Sequence, residues 1–110
     1  GLSKVFYSDS GSTAVEVALK IAFQYHRQKP GGNNQRTLFV SIDQAYHGDT
    51  VGSVSVGSIE LFHHVYGPLL FRTLKVPSPV TYRLPAGHTP ETYLEYCQAE
   101  LSRVLDQHAE

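Results

Sequence analysis

Two short loops carry the residues of this chain that could bind a charged ligand. The first, residues 8–13, reads Ser-Asp-Ser-Gly-Ser-Thr and lies between an apolar run and a helical pattern. Unpaired backbone amides and the helix dipole make the start of a helix a binding site for anions. Gly11 lets the main chain come close to a ligand, and the hydroxyls of Ser12 and Thr13 can donate hydrogen bonds. The pattern predicts a phosphate cradle, and the alternative is a helix cap with no ligand.

The second loop, residues 45–50, reads Ala-Tyr-His-Gly-Asp-Thr and follows an apolar segment. Ligands of open α/β sheets bind beyond the carboxyl ends of the strands, so we expect both loops to open on the same side of the sheet. The ring of Tyr46 would offer a stacking surface, and Asp49 would offer a polar contact. The alternative is a simple turn, in which Asp49 and Thr50 cap a helix and Tyr46 packs on the core.

Other motifs that would indicate a specific chemistry are absent from the sequence. A nucleophile elbow around Ser10 would need glycine at positions 8 and 12, where serines stand. There is no P-loop run and no dinucleotide fingerprint after a strand. The histidines do not have the spacing of metal ligands, so no metal site is predicted. Cys97 falls on the apolar stripe of a helix, which predicts a buried structural thiol.

The composition is that of an ordinary globular domain. Hydrophobic residues make up 41% and charged residues 17% of the 110 positions, and the formal net charge is −1. This charge gives no reason to expect nucleic acid or an anionic membrane as a partner. No apolar stretch approaches the roughly 18 residues of a membrane helix, and no secretory signal is recognisable. The single cysteine excludes an internal disulfide and is typical of a reducing compartment.

The elements that would position the two loops follow an α/β order. The pattern predicts a strand at residues 5–7, a helix at 13–28, a strand buried on both faces at 37–41, a brief helix at 50–57, a further strand at 73–76, and a last helix with Thr89 as N-cap and Pro90 in its first turn. The first strand, helix and second strand are expected to form a parallel unit. In the first helix a polar stripe recurs every four residues and includes Glu16 and Lys20 in ion-pair order.

The predicted elements bury little apolar surface for an independent domain. The last helix has an apolar stripe that needs a partner, and the sequence contains no methionine. We therefore expect residues 1–110 to be an internal segment of a larger α/β domain, with no domain boundary inside it.

Taken together, the two loops resemble a known family. Residues 6–20, FYSDSGSTAVEVALK, are similar to the phosphate-loop segment of class III pyridoxal-phosphate (PLP) aminotransferases. Residues 46–57, YHGDTVGSVSVG, are similar to the next segment of the same enzymes. Within the family, the combination most resembles the members that transfer an amino group from S-adenosylmethionine to 8-amino-7-oxononanoate in biotin biosynthesis. The alternatives are an ω-amino-acid or diamine aminotransferase, and a non-catalytic phosphate-binding α/β module.

The resemblance implies part of an aspartate-aminotransferase-like large domain, with mainly parallel strands covered by helices. It also implies a cytoplasmic homodimer that binds PLP and small-molecule substrates. Carried over position by position, Gly11 and Ser12 would bind the cofactor phosphate. Tyr46 would lie against the pyridine ring and border the substrate pocket, and Asp49 would support Tyr46 or the substrate amino group.

The resemblance also implies that essential groups lie outside this chain. Family members need a lysine that binds the cofactor covalently and an aspartate on the pyridine nitrogen, both C-terminal to this region. Lys4, Lys20, Lys29 and Lys75 do not match the family's lysine context, and none is expected in a desolvated, cofactor-facing position. No catalytic residue is therefore predicted here, and the chain alone is predicted to be inactive.

Overall fold

The computed structural model describes residues 1–31, 35–59 and 64–108. Within these ranges the chain forms three α-helices, one 3-10 helix and two strands. They are α1 (Gly11–Gln28), β1 (Phe39–Ile42), α2 (Val51–Val56), the 3-10 helix (His64–Leu69), β2 (Thr73–Val76) and α3 (Pro90–Gln107). The predicted helices at 13–28 and 50–57 and the strand at 73–76 are thus confirmed, with shifts of one or two residues at their ends.

The two strands pair in parallel, with Phe39 opposite Thr73 and Ile42 opposite Val76. A parallel pair needs a crossover connection, and α2 lies in it. This helix contacts both β1 and α1, while α3 packs against β2. The result is an α/β arrangement in which parallel strands are covered by helices.

The buried apolar residues of the described chain come from α2, β2 and α3, and they are Val54, Val56, Val76, Cys97 and Val104. The thiol of Cys97 lies 3.8 Å from the carbonyl oxygen of Ser78, which it approaches as a weak donor. The prediction of a buried structural thiol is therefore confirmed.

Both long helices begin with a reciprocal capping box. The hydroxyl of Ser10 accepts a hydrogen bond from the amide of Thr13 at 3.3 Å, and the Thr13 hydroxyl accepts one from the amide of Ser10 at 3.1 Å. Thr89 and Thr92 form the same pair at the start of α3, and Pro90 follows the cap. These bonds fix where each helix begins, as the sequence predicts for α3.

The predicted strand at residues 5–7 is absent. Val5, Phe6 and Tyr7 are 76%, 69% and 88% exposed, and their backbone pairs with no other strand in the described ranges. A β-prone run becomes a strand only when a partner completes its hydrogen-bond ladder. The parallel unit of this chain is therefore β1–α2–β2, and the prediction that it includes residues 5–7 and the first helix is wrong.

The prediction that the second strand is buried on both faces is also wrong. Exposure alternates along β1, and Val40 and Ile42 remain 36% and 46% exposed. Ser41 points to the covered side, where the ammonium of Lys75 binds its hydroxyl at 2.8 Å. Val40 and Ile42 lie on the same face of the sheet as their pairing partners Leu74 and Val76, and of these four side chains only Val76 is buried.

The described residues contain neither a membrane-spanning helix nor a cluster of metal ligands. Among the helices of the described residues, none has the length and apolar character needed to cross a membrane. The same part of the chain holds no group of three or more His, Cys, Asp and Glu side chains that could bind a metal ion.

Candidate functional site

The first turn of α1 presents three hydrogen-bond donors without a partner. In the part of the chain that the structure describes, the amides of Gly11 and Ser12 and the hydroxyl of Ser12 form no hydrogen bond. Apart from its chain neighbours and the backbone of its own helix, no heavy atom lies within 4 Å of the position that a Cβ on Gly11 would occupy, so the backbone is open to a ligand there. The first turn also lacks an acidic residue. This combination of free donors and positive helix dipole can bind an anion.

Thr13 does not belong to this set of donors. Its hydroxyl lies 2.6 Å from the hydroxyl of Ser8, accepts from the amide of Ser10, and donates to the carbonyl oxygen of Ser10 at 3.0 Å. The expectation that the Thr13 hydroxyl is available to a ligand is therefore wrong, because the capping box uses it. Thr13 shapes the turn that Gly11 and Ser12 present.

The second loop packs directly on the first. Gly48 is buried and has a φ of +114°, a conformation that L side chains rarely adopt. A Cβ at this position would overlap the side chain of Ser12 and would lie 3.0 Å from its Cα. Ser53, in the first turn of α2, donates from its hydroxyl to the carbonyl oxygen of Ser12 at 3.1 Å. The two loops that the sequence singles out thus meet at Ser12.

Tyr46 and Asp49 form a pair at the surface of this loop. The Tyr46 hydroxyl donates to Oδ2 of Asp49 at 2.8 Å, and Tyr46 is 56% exposed. This hydrogen bond to a carboxylate raises the pKa of the Tyr46 phenol above its usual value. The structure agrees with the simple-turn alternative in one respect, because Thr50 is the N-cap of α2, although its side chain forms no cap bond. It differs in the other, because Tyr46 does not pack on the core.

Glu16 is a site residue that the sequence interpretation missed. Its Oε1 accepts hydrogen bonds from the amides of Gly52 at 2.6 Å and Ser53 at 3.2 Å, at the start of α2. A hydrogen bond from the side chain of Thr50, followed by these two amides and the nearby charge of Lys20, holds the pKa of Glu16 below its usual value despite partial burial. The assignment of Glu16 to a solvated polar stripe is therefore wrong.

One sequence signal could have indicated this role. The predicted helix at 50–57 contains no acidic residue, so its first amides need an anion from elsewhere. Glu16 lies one helical turn after Ser12 and therefore on the same side of α1. The residue that reaches across could be identified only once α1 and α2 were known to be in contact.

Lys75 occupies the opposite end of α2. Its ammonium donates to the hydroxyl of Ser41 and to the carbonyl oxygens of Val56 at 3.1 Å and Gly57 at 2.6 Å. Partial burial lowers the pKa of Lys75, and the nearby Asp43 acts in the opposite direction. Lys75 is thus partly desolvated, but this does not contradict the expectation that no lysine is both desolvated and directed at the cofactor. Its ammonium is bound to α2 and β1 and is not a free amine.

The contact between Glu16 and α2 predicts a specific pH dependence of stability. Because the folded-state pKa of Glu16 is depressed, its contribution is present above the unfolded-state pKa and is lost as the pH falls through the folded-state pKa. We expect Glu16→Gln to lower the free energy of unfolding by about 1 kcal/mol at pH 7, and this difference to shrink toward pH 3. Urea titrations followed by circular dichroism measure both values. Glu95→Gln, at an exposed position of α3, is the control, and equal pH profiles for wild type and Glu16→Gln would contradict the prediction.

Comparison with known proteins places the chain in a family. The family model for class III aminotransferases matches residues 1–109. The chain therefore belongs to the class III aminotransferase family.

Within this family, the chain is similar to several individual proteins. A curated protein named adenosylmethionine-8-amino-7-oxononanoate aminotransferase, from Nitratidesulfovibrio vulgaris, is 57% identical over 108 residues, which are 98% of this chain and 20% of that protein. The crystal structure of the protein with this name from Methanocaldococcus jannaschii matches with a TM-score of 0.72 at 42% identity, over 98% of this chain and 21% of its own. An amine transaminase from an uncultivated Pseudomonas species, solved in its PLP-bound form, matches with a TM-score of 0.80 at 35% identity, over 91% of this chain and 22% of its own.

These matches show the fold of the chain and how much of its relatives' length it spans. The fold predicted from the resemblance, a PLP-dependent transaminase arrangement of parallel strands and helices, is confirmed. The chain spans about a fifth of the length of the first of these curated relatives.

Proposed function

We propose that residues 1–110 form part of the large domain of an aminotransferase and hold the phosphate and the ring of PLP. The proposed reaction moves an amino group from S-adenosylmethionine to 8-amino-7-oxononanoate and gives 7,8-diaminononanoate. The observation that carries the proposal is the open first turn of α1, joined at Ser12 to the loop that bears Tyr46. The family membership and the names of the 57% and 42% identical proteins support it.

The donor set of the first turn fits a phosphate group. The amides of Gly11 and Ser12 and the hydroxyl of Ser12 would each donate to a phosphate oxygen, and charge-assisted hydrogen bonds of this kind are strong. PLP, when bound, supplies the electron sink that amino transfer requires. In this proposal the α1 turn anchors the end of the cofactor that takes no part in bond changes.

The exposed pair of Tyr46 and Asp49 fits the ring of the same cofactor. The ring of Tyr46 would lie against the pyridine ring and border the substrate pocket. Asp49 would hold the Tyr46 hydroxyl, as it does at 2.8 Å in the structure, and would thereby fix the plane of the phenol. A tyrosine with its hydroxyl already bonded loses less freedom when a ligand stacks on it.

A full-length protein is needed to test the activity. We define the chimera as the Nitratidesulfovibrio vulgaris relative with this chain in place of its matching 108 residues. An ω-amino-acid or diamine aminotransferase is the alternative within the family, and the 35% identical amine transaminase represents that class. We expect the chimera to use S-adenosylmethionine as amino donor, and turnover with alanine but not with S-adenosylmethionine would contradict the proposal.

The proposal extends to location and assembly. We propose a cytoplasmic enzyme that acts as a homodimer, on the basis of the family resemblance and of a single cysteine, which is typical of a reducing compartment. Sedimentation of the chimera would test the dimer, and a monomer at micromolar concentration would contradict it.

Ser12→Ala tests the phosphate assignment. Removing a donor to a charged group should weaken PLP binding to the chimera by about 1–3 kcal/mol, which is a loss of roughly 5- to 150-fold in affinity. Fluorescence titration of the cofactor-free protein with PLP measures the change. Ser102→Ala, at an exposed position of α3, makes the same chemical change away from the site and should have no effect. Equal affinities for wild type and Ser12→Ala would count against the assignment.

A further inference from the structure

We propose that Glu16 is a positioning residue. Its carboxylate holds residues 45–50, which we call the Tyr46 loop, against Ser12. In this way Glu16 sets the affinity for the cofactor without touching it. The inference rests on the proposed function, because it concerns the same site. It begins from the hydrogen bonds that join Glu16 of α1 to Gly52 and Ser53 of α2.

The contact between the Glu16 carboxylate and the first turn of α2 is close. A Cβ on Gly52 would lie 2.7 Å from Oε1 and 2.8 Å from Cδ of Glu16. A side chain at this position would therefore displace the Glu16 carboxylate from its present place. Ser53 is fully buried beside it and gives its amide to the same oxygen atom. The first turn of α2 is therefore joined to α1 by the Glu16 carboxylate, in addition to the bond from the Ser53 hydroxyl to the Ser12 carbonyl oxygen.

Helix α2 depends on side chains from other elements for its stability. Its six residues, VGSVSV, include glycine, serine and β-branched valine, which all have low helix propensity. A helix this short does not form by itself. Glu16 binds its first amides and Lys75 binds its last carbonyls, so a carboxylate and an ammonium neutralise the two ends of its dipole.

The position of α2 determines the position of the loop before it. Val51 begins the helix directly after Asp49 and Thr50, so the backbone of residues 46–50 is anchored where α2 starts. Ser53 connects this anchor to the phosphate turn, because its amide binds Glu16 and its hydroxyl binds the Ser12 carbonyl. Loss of the Glu16 charge should therefore release both the contact of Gly48 with Ser12 and the placement of Tyr46.

A double-mutant cycle on the chimera tests whether Glu16 acts through the site. We expect Glu16→Gln to weaken PLP binding about tenfold, and Glu16→Ala to weaken it more because the acceptor oxygen is also lost. If Glu16 acts by holding the loop against Ser12, the double variant Glu16→Gln/Ser12→Ala should lose much less affinity than the product of the two single losses. Multiplicative losses, or an unchanged affinity in Glu16→Gln, would overturn the proposal. Glu95→Gln is the matched control and should bind PLP like wild type.

A second measurement separates this proposal from the proposed function. In ¹⁵N–¹H spectra of the 110-residue chain, Glu16→Gln should move the amide resonances of both Gly52 and Gly48, while Glu95→Gln moves neither. A purely local role would move Gly52 and leave Gly48 in place, and that result would overturn the inference even if the chimera binds PLP. If the wild-type chimera fails to bind PLP, the proposed function is wrong, and the Gly48 resonance still decides whether Glu16 positions the loop.

Discussion

Gly48→Ala should lower the free energy of unfolding of the chain by about 3 kcal/mol and weaken PLP binding to the chimera by on the order of a hundredfold. Two costs combine at this position. The φ of +114° is strained for a residue with a side chain, and the new Cβ would overlap the side chain of Ser12. The loop must move away from the α1 turn to relieve this overlap, so stability and affinity should fall together.

Two other glycines separate these costs. Gly87 has a φ of +87° and nothing within 4 Å of its Cβ position, so Gly87→Ala should cost only the backbone strain, about 1 kcal/mol. Gly67 has open space and no positive φ, and Gly67→Ala should change little. Urea unfolding and PLP titration measure all three variants. If Gly48→Ala and Gly87→Ala lower the free energy of unfolding and the PLP affinity equally, the overlap with Ser12 costs no free energy. In that case the two loops are not coupled.

The 110-residue chain alone should have no transaminase activity and should form no site-specific lysine adduct with PLP. A lysine that binds the aldehyde must offer a neutral amine directed at the cofactor. Lys4, Lys20 and Lys29 are exposed, and all three protons of the partly buried Lys75 ammonium have acceptors on β1 and at the end of α2. Borohydride reduction after incubation with PLP, followed by peptide mapping, measures the labelling.

Lys75 is the residue on which this prediction could fail, because its burial lowers its pKa and so favours the neutral amine. Lys75→Arg keeps the charge and hydrogen-bond donors but cannot form an imine, and it is therefore the matched control. We expect scattered, substoichiometric labelling that is the same in both proteins. Stoichiometric labelling of Lys75 that disappears in Lys75→Arg, with turnover in the wild type, would contradict the prediction.

The parts of the fold that the sequence predicts correctly are those determined by neighbouring residues. The start of α3 follows from Thr89 and Pro90, which act within one turn of their own positions. The strand at residues 5–7 is predicted wrongly because a strand depends on a partner elsewhere in the chain. The prediction that β1 is buried on both faces is wrong for the same reason. An apolar sequence indicates that a surface can be covered, but it does not identify the element that covers it.

The same distinction between local and distant partners separates the site residues that the sequence reveals from those that it does not. Gly11 and Ser12 are recognisable because a helix start, a glycine and a hydroxyl stand side by side in the sequence. Thr13 has the same chemical groups as Ser12, and only the capping geometry with Ser10 shows that they are used internally. Glu16 accepts from amides that are 36 and 37 residues away, and a helical periodicity gives no information about such partners.

This separation along the chain has a consequence for the order in which the site is assembled. The turn at the start of α1 is closed by bonds that span only three to five residues, so it can form as soon as the helix does. The loop with Tyr46 depends on Glu16 before it and on Lys75 after it, and each contact must first overcome the entropy of closing a longer segment. During folding, the phosphate-binding half of the site should therefore be ordered before the half that faces the ring. The same order, reversed, makes the Tyr46 loop the part of the site that opens first when the fold is weakened.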